Sequence, residues 1–140
     1  MARSNQTADW ANRLSPSIAE IESLAIDAYA HLPENFRSLC GEITMQVSDF
    51  PDDQIIEDMG LESPFDLMGL FEGNGIGERF SLQTGDQVNR ITLYRRGILD
   101  YWAEYEEGLG DIVTHVLIHE IGHHFGLSDE EMERIEASVE

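Results

Sequence analysis

Lysine is absent from this 140-residue chain, and all eight of its basic residues are arginines. Against them stand 28 aspartates and glutamates, for a formal net charge of −20. Nucleic-acid phosphates and anionic membranes repel such a surface, so neither is expected as a partner. A field of this sign favours solubility and attracts cations or basic peptides. Cysteine is nearly absent as well, since Cys40 stands alone. That excludes an internal disulfide and a cysteine-built zinc site, and leaves Cys40 as a small buried apolar residue. Long apolar runs are missing too, and stretches such as Val116-Leu117-Ile118 fall far short of a bilayer span. The segment from Met1 to Leu14 is polar, with no apolar core or small-residue cleavage site, so a cytoplasmic location is expected.

A chain of this length predicts one domain, over residues 16–140, preceded by a loose arm at 1–15 whose large apolar group is Trp10. Ser15 and Pro16 read as the start of a helix whose apolar face is Ile18, Ile21, Leu24, Ala25, Ala28 and Tyr29, ended by Pro33. Alternation over Ile43–Val47 predicts a strand after a short turn at Glu34–Leu39. From Asp49 to Asp66 there are seven carboxylates and no base, which reads as a solvated loop with one helical turn. Strands are expected at Leu67–Gly73, Arg79–Leu82 and Arg90–Tyr94, with turns at Asn74–Gly77 and Thr84–Asp86. Ile98–Tyr105 reads as a helix with Leu99 and Trp102 turned inward.

The segment from Asp111 to Phe125 carries the chemistry. Asp111 suits an N-cap, and Ile112, Val113, Val116, Leu117, Ile118 and Ile121 make the helix apolar around most of its circumference. Set into it are His119, Glu120 and His123. Residues four apart share a helix face, about 6 Å along the axis, so two imidazoles so placed can bind one zinc ion. Glu120 points beside the metal, where it can take a proton from a zinc-activated water. Gly126 lies where helices stop in a left-handed residue, and the resulting turn could bring Asp129 onto the same ion. Two histidines and an aspartate leave a fourth position open, as in catalytic zinc sites.

His119-Glu-Ile-Gly-His-His-Phe-Gly-Leu-Ser-Asp129, together with Ile91–Arg96, Leu70–Gly73 and the helix end Ala30–Pro33, resembles the small bacterial zincin-like metallopeptidases. In order and spacing the resemblance runs from Ile18 onward. It implies a minimal zincin-like α+β fold, in which a short mixed sheet packs against the motif helix and an N-terminal helix. It also implies one zinc ion per chain on His119, His123 and Asp129, with Glu120 as catalytic acid/base, and a peptide or protein as substrate. Unlike larger zincins, this sequence offers no separate methionine turn, because Met132 lies in an acidic, helix-like stretch after Asp129. Tyr94, Arg95 and Arg96 have the right chemistry to stabilise an oxyanion but are expected in structural roles. His115, one turn before His119, is expected as a hydrogen-bonded helix residue, His124 as facing solvent or the sheet, and His31 as exposed.

Two other readings compete with the peptidase. A catalytically silent zinc-binding module could dock a basic partner on its acidic surface, and would bind zinc without cleaving peptides. A zinc-dependent ribonuclease is disfavoured by the charge, by the presence of Glu120 and by the lack of a histidine after Asp129.

Overall fold

The computed structural model describes residues 9–73 and 89–139. Residues 9–12 are helical and exposed, with the Arg13 guanidinium 4.7 Å over the Trp10 ring. Helix α1 spans Ile18–Ala30 and is capped by Ser17 rather than Ser15. The Ser17 hydroxyl accepts from the Glu20 N–H, and the Glu20 carboxylate accepts from the Ser17 N–H. This reciprocal box needs a glutamate three residues after the cap, which a start at Ser15 would not supply. Ser15 and Pro16 are held instead by Arg95, which donates to the Ser15 hydroxyl at 2.8 Å and the Pro16 carbonyl at 2.6 Å.

Helix α1 ends at Ala30 with His31 as its C-cap, so Pro33 stands just beyond the helix end, as expected. Pro33 also occupies the N-cap of a further short helix, α2 (Glu34–Arg37), where a turn was expected. Strand β1 covers Ile43–Ser48. The acidic stretch after it is more ordered than its composition suggests, because two of its polar groups cap helices. Asp52 accepts from the Ile55 N–H to start α3 (Asp53–Met59), and Ser63 and Asp66 close a 3-10 turn at Pro64–Asp66. Strands β2 (Gly69–Glu72) and β3 (Asn89–Tyr94) follow, then α4 (Arg95–Glu104), α5 (Leu109–His124) and α6 (Asp129–Ser138). The expected strand at Arg79–Leu82 and the turns at Asn74–Gly77 and Thr84–Asp86 lie outside the described residues.

Strand β3 is central. It runs parallel to β1, with Ile43 opposite Asn89, and antiparallel to β2, with Gly69 opposite Leu93. The result is the short mixed sheet of a minimal zincin-like α+β fold, with α5 packed against α1, β2, β3 and α6. All six apolar residues expected inside α5 are buried. Each contributes about 1.5–3 kcal/mol relative to exposure, so the motif helix is also the main core element. Two details differ from expectation. Gly108, not Asp111, is the N-cap of α5, because Leu109 already joins the helix; Asp111 lies in the first turn, where its charge meets the positive helix end. Trp102 stays on the rim of α4, whose close face is set by Gly97 and Ile98. Gly97 lies so near the Leu67 carbonyl that a Cβ would come within 2.5 Å of its oxygen.

Candidate metal centre

Three histidines follow one another at four-residue spacing along α5, so they rise on one face as a ladder. The His115 and His119 rings stack with centroids 4.0 Å apart, and the His119 and His123 rings meet edge-on at 5.7 Å. Helix α6 lies alongside and supplies Glu136. His115 Nδ1 lies 2.8 Å from Glu136 Oε2, and His119 Nε2 lies 3.3 Å from Glu136 Oε1. Among the described residues, His115, His119 and Glu136 are the one group of three whose donor atoms gather within 4.8 Å of one another.

The chain reverses between α5 and α6 in a tight motif. Gly126 adopts φ +78°, its N–H donates to the His123 carbonyl, and the Leu127 N–H donates to the Gly122 carbonyl. This pairing satisfies the last carbonyls of α5 and requires the left-handed residue that glycine supplies. Ser128 then caps α6 and forms a box with Glu131. Asp129, the first residue of α6, is therefore not needed as the cap. Its exposed carboxylate has no hydrogen-bond or ion-pair partner among the described residues, and the ring nitrogens of His123 likewise bond to nothing there.

Glu120 occupies the sheet side of the same turn. A Cβ on Gly69 of β2 would lie 3.3 Å from Glu120 Cγ and 2.7 Å from a Val116 methyl, so glycine at this strand position lets the sheet approach the motif. Burial pushes the Glu120 carboxyl above the usual carboxylate range, and His123 opposes that shift. Burial and the neighbouring His115 lower the pKa of His119, while Glu136 works in the other direction.

The remaining expected positions are structural. His124 turns to the sheet and packs 4.4 Å from Phe71, and its buried Nε2 has no partner among the described residues. His31 is exposed at the C-cap of α1, bonded to the Asp27 carbonyl. Arg95 pairs with Asp49 at 3.0 Å, Arg96 lies over the Phe50 and Phe65 rings, and Tyr94 is buried. Cys40 is a free, buried thiol. The structure thus sets the His119 and His123 rings edge to edge with Glu120 beside them, and leaves both His123 and Asp129 outside the three-donor group of His115, His119 and Glu136.

Sequence reasoning missed Glu136. It is one of 28 acids, 17 residues from His119, and only the packing of α6 on α5 singles it out.

The family described as zincin-like metallopeptidase matches residues 40–139. The chain belongs to this family. A comparison with curated proteins finds no match. The zincin-like family implies a zinc cofactor, and the donors on α5 and α6 suit one. Imidazole nitrogens and carboxylate oxygens are ordinary zinc ligands, and here they stand on adjacent helical turns over a half-buried carboxylate. In this zincin-like chain no helix among the described residues is long and apolar enough to cross a membrane.

Proposed function

We propose that this chain is a zinc-dependent peptidase, with the ion held by His119, His123 and Asp129. The observation that carries this reading is Glu120, a half-buried carboxylate of raised pKa beside two imidazoles on consecutive turns. A zinc ion here would supply Lewis acidity, acidifying water and polarising a carbonyl. Glu120 accepts the proton of the attacking water at a carboxylate oxygen and returns it to the leaving amide nitrogen. A carboxyl raised above its ordinary pKa performs both halves of that exchange better than a fully solvated one. His123 and Asp129 suit a ligand role because no bond within the described residues competes for their donor atoms. Asp129 as third ligand would leave less positive charge on the ion than a third histidine, which predicts slow or selective turnover. The net charge of −20 favours basic peptides or proteins as substrates.

The test is a peptide-library digest by the purified chain, with its zinc content measured. The expected result is cleavage that a chelator abolishes and added zinc restores. Stoichiometric zinc without cleavage of any peptide would instead favour a silent zinc-binding module docking a basic partner.

A further inference from the structure

We infer that His115, His119 and Glu136 form a divalent transition-metal site of their own, sharing His119 with the motif's ligand set. The geometry argues for it in three ways. First, the three donors lie within 4.8 Å of one another. Ligands held about 2.0–2.1 Å from a tetrahedral ion are separated by roughly 3.3 Å, and His119 Nε2 and Glu136 Oε1 are already 3.3 Å apart. His115 Nδ1 and Glu136 Oε2, at 2.8 Å, need to open only slightly.

Second, the two imidazoles are stacked with centroids 4.0 Å apart and ring planes within 26°, so their edges stand side by side before one carboxylate. Third, Glu136 addresses the ring edge of His119 that carries Nε2. An ion bound at that nitrogen meets Glu136 directly, so the carboxylate acts as a ligand. A merely supporting carboxylate would approach the opposite nitrogen, behind the metal. Two imidazoles with one carboxylate select zinc, cobalt, nickel or copper over magnesium or calcium.

Because His119 Nε2 can serve one ion at a time, filling this site withdraws His119 from His123 and Asp129. The two sites are then alternatives, and the chain holds one ion in total. Ion binding at this cluster is independent of hydrolysis.

The experiment is cobalt(II) titration of the full chain, followed by the visible absorption of the bound ion, with circular dichroism to verify folding. His123→Ala with Asp129→Ala removes the two motif donors outside the cluster, both exposed positions. This double variant is expected to bind one cobalt per chain. Adding either Glu136→Gln or His115→Ala should then weaken binding at least about tenfold, since even an outer-shell partner is worth about 10–100-fold. A folded double variant that binds no cobalt overturns the site. So does binding unchanged by Glu136→Gln and His115→Ala, and two ions per wild-type chain overturn the sharing of His119. Should the double variant bind as tightly as wild type, the cluster stands and the motif's ligand set fails. The two readings are thereby separated.

Discussion

Gly122 of the motif helix faces Met132 of α6 with no space for a methyl group. A Cβ on Gly122 would collide with the Met132 sulfur and lie 2.8 Å from its Cγ, and Met132 is completely buried. This contact sets how closely α6 lies on α5, and hence where Glu136 meets the histidine ladder. Gly122→Ala should therefore overpack the junction, at about 1–3 kcal/mol, measured by urea denaturation. It should also separate Glu136 from His119. An unchanged midpoint would mean that α6 shifts without resistance.

Arg95 ties the start of the chain to the sheet. It is mostly buried, and bonds Ser15, the Pro16 carbonyl and Asp49. Arg95→Met keeps much of the apolar stem but loses these bonds, so a stability loss of about 1–3 kcal/mol is expected. Proteolysis near residue 15 should become faster. Equal cleavage rates would contradict the anchoring role.

Cys40 and Tyr29 set an alkaline limit. Burial raises the pKa of both, and Tyr29 gains a further rise from its bond to the Cys40 thiol. A group whose pKa is higher folded than unfolded stabilises the fold fully below its unfolded pKa, and that contribution fades as pH rises toward the folded value. Thermal stability should thus decline from about pH 9 upward, the ordinary cysteine value, and decline less in Cys40→Ala. The native thiol should resist alkylation at pH 8 and react once the chain is unfolded.

How much of this was legible in the sequence depended on how local the cause is. The His119-Glu120-x-x-His123 pair and the Gly126 reversal are set within one helix and its end, so spacing alone located them. The Ser17–Glu20 box was equally local, but Pro16 drew the helix start to Ser15. The order inside the acidic stretch was hidden because Asp52 reads as surface charge until its carboxylate is seen capping α3. The approach of Gly69 to Glu120 and the bonds from Glu136 to His115 and His119 arise from packing between elements distant in sequence. No periodicity encodes them.

In the proposed reaction Glu120 moves the proton of the attacking water. The kcat of Glu120→Gln, measured at a zinc load equal to that of wild type, tests this role. Glutamine keeps the shape of the side chain but cannot take up the proton. A fall in kcat of about 10²–10⁴-fold is expected, the usual worth of a positioned acid/base, with zinc content unchanged. A variant that holds its zinc and cleaves peptides at the wild-type rate would contradict it.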